Sequence, residues 1–481
     1  MGTIAVWFRK DLRFHDQTAL AKAILALHEE DQIIGLFHLH PALNQTFSPR
    51  HDYFYATLKS FVDDGKELNF PIHFMHGNIF SALDDLLIKT SDLEALYFNY
   101  DEVGFGRERD DAVIQHLNSK DIAVFPCLDH HIHSAHDILK ADHSHYKVFS
   151  SYYKRWSKAE KPKIVQVDID KLKKHAVHLQ RKFADGEQVY QELLSKRITQ
   201  WEHVGEQQAL QRIEEFTTET IDDYHRKRDY PALQATSGIS AYLRTGQLSP
   251  RTIFYAALDK IQGRADCEGI ETFIKELAWR DFYNMIYHYY PKSKNEELIE
   301  KYRGLTWNTD DADLFKRWTE GQTGFPIVDA GMRQLNQTGW MHNRVRMIVA
   351  SFLTKDLLID WRKGERYFEE RLIDYDPASN IGGWQWAAST GTDAVPYFRI
   401  FNPTRQSERF DPNGIYIKQY IPELKNVPVK YIHNPITMPD SVQKESSCII
   451  GKDYPKPIVD HRVMREKALE LFKESTSNGD A

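Results

Sequence analysis

The sequence predicts a doubly wound α/β domain followed by an all-helical one. Three observations carry this. Short apolar runs alternate with amphipathic stretches over the first 130 residues. Strand patterns vanish after about residue 200. The 481-residue length exceeds what one hydrophobic core usually organises. Strand–helix–strand alternation implies a parallel sheet with helices on both faces.

Taken in order, "TIAVWF", "QIIGLFHLH", "PIHFMHG", "ALYFNY" and "IAVFPC" read as strands, with helices at 16–30, 51–64, 79–89 and 107–118. No Gly-x-Gly-x-x-Gly follows the first strand and no Walker loop is present, so this Rossmann-like domain, 1–130, lacks the usual phosphate fingerprint. Residues 131–200 read as an interdomain linker. At its start, "DHHIHSAHDILKADHSHY" carries His130, His131, His133, His136, His143 and His145. With no partner cysteines, these are expected to be a solvated connector rather than a metal site. A Lys-rich stretch, 154–182, continues the linker. Helical periodicity at 203–215, 250–262, 268–289, 326–338, 340–358 and 360–373 places an all-α domain at 201–475. An amphipathic helix at 461–473 closes it. The tail, 476–481 within "STSNGDA", is expected to be disordered.

Composition narrows the function. Hydrophobic residues (41%) and charged residues (27%) are ordinary for a globular chain. A net charge of −7 argues against a nonspecific nucleic-acid coat, though not against a local basic groove. Cys127, Cys267 and Cys448 lie far apart and read as reduced thiols of a cytoplasmic protein. The N-terminus becomes charged within ten residues, unlike a signal peptide, and no apolar run reaches the roughly 18 residues of a membrane span.

Four constellations stand out. In "GWMHNRVRMIVASF", Met341, Val345, Ile348 and Phe352 recur at helical spacing, and Trp340, Asn343 and Met347 lie opposite. A helix buried on both sides fits this, and so does a pocket wall flanked by Arg344 and Arg346. On 273–291, Glu276, Trp279, Arg280 and Tyr283 share a face, as an ordinary surface pair or as one site. Residues 224–251 place Arg226, Lys227, Arg228, Arg244 and Arg251 around the hydroxyl-rich "TSGIS", a turn suited to phosphate. Finally, "RLIDYDPASNIGGWQWAAS" offers Asp374 and Asp376, which could meet an arginine, a ring N–H or a divalent metal, though no further ligand cluster supports the metal. Its two tryptophans, 384 and 386, are two apart and point to opposite sides of a helix.

These strings carry a resemblance. "GQTGFPIVDAGMRQLNQTGWMHNRVRMIVASFLTKDLLIDWRKGERYF", "NIGGWQWAASTGTDAVPYFRIFNPTRQSERFD" and the opening "VWFRKDLRFHDQTAL" resemble the DNA photolyase and cryptochrome family, nearest to class I cyclobutane pyrimidine dimer photolyases. The resemblance spans nearly the whole chain. It implies FAD in the helical domain, active in its reduced anionic form. Tyr224, Thr236, Ser237, Gly238, Ile239 and Ser240 would hold the phosphates and adenosine side. Gly238 stands where close relatives often have a basic residue. Phe273, Arg346, Asp374 and Asp376 would surround the flavin, with Asn380 near its N5. Trp384, Trp361 and Trp307 would relay electrons to the surface.

The implied partner is UV-damaged DNA, with the dimer flipped into a pocket; photolyases are a named example of the base-flipping principle. Trp279, Trp386 and Met347 would pack on the dimer, while Glu276 and Asn343 would hydrogen-bond its edges. Arg228, Arg280, Arg344 and Gln406 would contact the DNA backbone. One electron passes to the dimer, the ring splits and the electron returns, which makes the enzyme a carbon–carbon lyase.

A signalling cryptochrome is one alternative. It often carries a C-terminal extension, whereas this chain stops soon after "YPKPIVDHRVMREKALELF". A (6-4) photolyase is another, but its chemistry uses a histidine pair where "MHNRVRM" offers Asn343 and Met347. A DNA-binding protein without enzymatic activity fits poorly with the net charge and the FAD pattern. For an antenna chromophore, "NYDEVGFGRERDD" lacks the folate-type Asn–Glu pattern and looks more like flavin- or deazaflavin-binding relatives. Family members are usually monomers, and none requires a membrane.

Overall fold

The computed structural model describes residues 2–41, 47–179, 183–261, 266–394 and 396–477. The last residue of the expected 250–262 helix and the end of the tail, 478–481, lie outside them. Two compact units are present: one holds 1–146, 150–222 and 237–288, the other 147–149, 223–236 and 289–481.

In the first unit, β1 (Thr3–Phe8), α1 (Thr18–Ala26), β2 (Gln32–Leu39), α2 (Pro49–Glu67), β3 (Ile72–His76), α3 (Ile79–Lys89), β4 (Leu93–Asn99), α4 (Gly104–Asn118) and β5 (Ala123–Cys127) alternate as expected. All pairings are parallel, in the order β3-β2-β1-β4-β5. Successive side chains of a strand point to opposite faces. Ile4, Val6 and Phe8 therefore join one core with Leu20, Leu58 and Phe61, while Ala5 and Trp7 join another with Leu83, Leu86 and Val113. This is double winding read directly from β1.

The expected linker is not structureless. Its residues form α5 (Phe149–Trp156), α6 (Ile169–His175) and α7 (Ala184–Ser195), and 150–200 belongs to the first unit. His130, His131 and His133 are not solvated either. Their side chains are at most 9% exposed and sit near Asp101, Glu102 and Asp137 at 3.5, 3.6 and 3.9 Å. Asp101 and Glu102 reach His130 and His131 from some thirty positions away, whereas Asp137 lies one turn from His133. Among the described residues, no group of three or more His, Cys, Asp or Glu is placed to hold a metal ion, and no helix is long and apolar enough to cross a membrane.

The chain continues through α8 (Glu206–Glu219), α9 (Tyr224–Lys227), α10 (Ser240–Thr245), α11 (Pro250–Leu258) and α12 (Glu268–Tyr289). Arg251 anchors α11 to the sheet domain: its guanidinium meets Asp16 at 2.8 Å and Asp129 at 2.7 Å. Burial would raise the Asp129 carboxyl, but Arg13 and Arg251 override it and hold it low.

The second unit is helical: α13 (Ala312–Thr319), α14 (Pro326–Thr338), α15 (Asn343–Ser351), α16 (Trp361–Arg371), α17 (Pro377–Ala388), α18 (Pro403–Phe410), α19 (Ile415–Tyr420), α20 (Val429–Ile432), α21 (Asp440–Glu445) and α22 (His461–Ser477). The single helix expected over 340–358 is divided. Gly339 closes α14 in the left-handed region (φ 68), and His342 caps a new start by accepting from Arg344 N. Trp340 thus precedes the helix instead of lining it. The far end becomes a π-helical turn, Phe352–Asp356, before Leu358 at φ 54. The last helix runs on through Ser477, so residues 476 and 477 are helical where a tail was expected.

Candidate functional site

Each unit carries part of the predicted site. In the second, α15, α16 and α17 bring one set together. Arg346 Nη2 lies 2.7 Å from Asp374 Oδ2, and its Nε donates to Met341 O at 2.8 Å. Asp374 is buried, and its other oxygen, Oδ1, has no partner in the described structure. Asp376 caps α17 by accepting from Ser379 N. Asn380, one turn on, donates to Glu365 Oε1 at 3.1 Å, which also accepts from Tyr375 Oη at 3.0 Å. Burial raises the Glu365 carboxyl.

The tryptophan pair divides as its spacing predicts. Trp384 is 2% exposed and packs on Phe368 (5.0 Å between rings) and Trp318 (6.1 Å). Gly364 permits this: a Cβ there would lie 2.1 Å from the Trp384 ring. Trp386 is half-buried and meets Phe401 at 6.4 Å. Trp361 is fully buried and donates to Glu297 Oε1 at 3.2 Å. Trp307 is buried beside Phe472, and its Nε1 has no partner among the described residues.

At the start of α15, the Asn343 amide points along the helix to Met347 Sδ, 3.9 Å away. Arg344 pairs with Asp229 at 2.7 Å and lies 4.4 Å from the Phe410 ring. Arg228 lies over the ring of Tyr224, 5.7 Å away. Gln406 sits half-buried on α18. His342 is 2% exposed, and burial pushes its imidazole down to about 4.

In the first unit, Phe273, Glu276, Trp279 and Arg280 rise along α12. Phe273 is buried against Phe216; the other three are half-buried. Trp279 packs on Tyr283 at 5.5 Å. Arg280 donates to His130 O. The helix is pinned by its neighbour Asp281, whose carboxylate accepts from His133 N (2.9 Å) and Trp156 Nε1 (2.8 Å).

The turn Ser237, Gly238, Ile239 and Ser240 precedes α10, with Thr236 just before it in the other unit's segment. Gly238 has φ 67, and a Cβ there would meet only Arg212, at 3.5 Å. Arg212 Nε donates to Ser237 O at 2.7 Å. A guanidinium from α8 therefore stands beside the glycine where a basic side chain was missed.

Taken within each unit separately, these residues suit parts of a flavin dinucleotide on three counts. The unsatisfied Asp374 oxygen is a buried acceptor, which a ring or ribityl donor would satisfy. The left-handed glycine leaves the turn's backbone open. Arg212 supplies positive charge beside Gly238 and the Ser237 carbonyl.

Arg212, Glu297, Trp318 and Glu365 are absent from the sequence reading. Only Glu365 left a signal, four residues after Trp361 on the same helix face.

Comparisons with known proteins agree over the whole chain. Residues 273–474 match the family described as the FAD binding domain of DNA photolyase, and residues 4–173 match the DNA photolyase family. A deoxyribodipyrimidine photo-lyase from Alkalihalophilus pseudofirmus is 47% identical over 472 residues, 98% of this chain and 97% of that one. Among solved structures, a bacterial class III photolyase from Agrobacterium tumefaciens aligns with a TM-score of 0.88 at 32% identity, over 99% of this chain and 98% of that one. An archaeal photolyase from Sulfolobus tokodaii with two FAD molecules aligns at 0.81 and 29% identity, over 98% of this chain and all of that one.

Proposed function

This chain belongs to the DNA photolyase family, and on that premise we propose that it repairs cyclobutane pyrimidine dimers in DNA under blue light, with FAD as its cofactor. The observation that carries the reading is full-length identity of 47% to a deoxyribodipyrimidine photo-lyase. It is joined by a buried flavin-type acceptor at Asp374.

When bound and reduced, FAD supplies the photoexcited electron that opens the cyclobutane ring and takes it back. Around it, Asp374 and Arg346 would hold the flavin ring, and Asn380, oriented by Glu365, would present its amide towards N5. Tyr224, Thr236, Ser237, Ile239 and Ser240 would bind the phosphate and adenosine end, Arg212 supplying the charge that Gly238 cannot. Trp384, Trp361 and Trp307 would carry electrons inward when the flavin needs reducing.

Trp279 and Trp386 each offer a half-buried indole for a flipped dimer, because stacking needs one face open. Glu276 and Asn343 would hydrogen-bond the base edges and stabilise the charge that develops there. Met347 offers a polarizable apolar contact. Arg228, Arg280, Arg344 and Gln406 would hold the flanking phosphates, with Arg344 exchanging Asp229 for phosphate. The test is light-dependent recovery of thymine absorbance from a defined dimer oligonucleotide.

A second, flavin-type chromophore at the sheet domain is supported by a separate feature. Phe105 is 53% exposed and stands 5.3 Å from His40, near the carboxyl end of β2. Ligands of open parallel sheets bind at that edge. Arg109 and Asp110 of the "GRERD" run are engaged in a buried ion network with Arg9 and Asp101. They would shape the site's floor. Titration with flavin mononucleotide, FAD or a deazaflavin, followed by energy transfer to the bound FAD, tests it.

A further inference from the structure

We propose that Glu297 is a positioning residue of the electron relay, stabilising the electron hole on Trp361 through the indole N–H. This rests on the relay reading of Trp384, Trp361 and Trp307. Glu297 is 2% exposed and Trp361 is fully buried, so water screens neither. The indole Nε1 donates to Glu297 Oε1 at 3.2 Å. Gly364, three residues on from Trp361 along the same face of α16, touches the ring of Trp384. Trp361 therefore shares a helix face with the residue on which the Trp384 ring packs.

The three relay indoles differ in surroundings. Among the described residues, the Nε1 of Trp307 is buried without a partner. Trp361, by contrast, donates its ring N–H to a carboxylate. That carboxylate is shared: Arg362 Nη2 lies 3.3 Å from the same oxygen, and the guanidinium lies 5.5 Å from the Trp361 ring. Arg362 is also held by Asp360 at 2.9 Å.

The electron count is simple. One electron leaves Trp384 for the photoexcited flavin. Trp361 then refills Trp384 and is itself one electron short. A positive indole beside a buried carboxylate is favoured over one beside a neutral amide. The indole proton stays in its hydrogen bond, so no base is consumed. Trp307 next refills Trp361, and an external thiol reductant restores Trp307. Glu297 thus commits the hole to leave Trp384 before it can return, while Arg362 tempers the effect so that the hole still moves outward.

The sign of the charge makes this testable. Flavin-loaded protein would be photoreduced from the oxidised state with a thiol present. Glu297→Gln should slow photoreduction roughly tenfold. Arg362→Gln, which leaves the carboxylate and removes the opposing charge, should leave the Trp361 hole longer-lived in transient absorption. A merely structural role would move both variants the same way. Both should keep parental dimer repair when the flavin is reduced chemically, and parental flavin content. In flavin-free protein, the ultraviolet resonance Raman band of the Trp361 N–H, assigned with Trp361→Phe, should shift to a weaker hydrogen bond in Glu297→Gln. Parental photoreduction in Glu297→Gln, alongside slow photoreduction in Trp361→Phe, overturns the role of Glu297 and leaves the relay standing. Parental photoreduction in Trp361→Phe overturns the relay itself and Glu297 with it.

Discussion

Arg346 and Asp374 form an ion pair that uses only one carboxylate oxygen: Nη2 lies 2.7 Å from Oδ2, while the buried Oδ1 has no partner among the described residues. The arginine takes one oxygen, and the spare one is left for a ligand. Asp374→Asn should weaken FAD binding roughly 10–100-fold, the worth of a hydrogen bond to a charged group. Flavin fluorescence on titrating apoprotein measures it. Arg346→Ala should destabilise the apoprotein by about 2 kcal/mol, below the cost of breaking a fully buried pair because the arginine is a quarter exposed.

Trp384 leaves no room at Gly364. Gly364→Ala would put a methyl 2.1 Å from one ring edge and 2.6 Å from Leu353. Overpacking of this kind costs about 1–3 kcal/mol. Urea denaturation should show that loss, and flavin photoreduction should change with it because the indole must shift.

The proposed dimer contacts separate binding from chemistry. Trp386→Ala should weaken binding to dimer-containing DNA at least about tenfold, the worth of a lost stacking partner. Glu276→Ala should lower the repair yield per flash roughly 100-fold, with a smaller effect on binding. Electrophoretic binding assays and single-flash repair, run on both variants, check the split.

Phosphate contacts can be counted by salt. Three arginines, Arg228, Arg280 and Arg344, give an expected slope of about −2.7 in log affinity against log salt. Affinity should then fall roughly 40-fold between 50 and 200 mM. Arg344→Gln should reduce the slope by about 0.9.

His342 makes stability depend on pH. Its imidazole titrates near 6.5 when unfolded and at about 4 when folded, chiefly through burial. The folded state therefore disfavours the charged ring. Stability is complete above pH 6.5 and is lost as pH falls from there towards 4. At pH 5 the loss is about 2 kcal/mol. His342→Asn keeps a residue suited to the N-cap and removes the titration. Its stability difference between pH 7.5 and 5 should be smaller than the parent's by about that amount.

The sheet was legible because β1 to β5 announce themselves as apolar runs with short helices between them. Trp384 and Trp386 were legible because two residues apart on a helix cannot share a face. What stayed hidden depends on distant pairings. His130 and His131 look solvated until Asp101 and Glu102 arrive from the end of β4. The break before α15 came from two local devices, a left-handed Gly339 and a histidine N-cap, which an apolar repeat running through both obscured. Glu297 meets Trp361 across 64 positions of sequence, beyond any periodicity. Arg212 comes from α8 to Ser237 O beside Gly238, which only packing reveals.

The most direct test of the account is repair of a single thymine dimer. The protein would be loaded with FAD, reduced without oxygen, mixed with a dimer oligonucleotide and compared under blue light and in darkness. Recovery of thymine absorbance in the light alone is the predicted result. No recovery in the light, with FAD bound and fully reduced, would contradict the assignment of dimer repair to this chain.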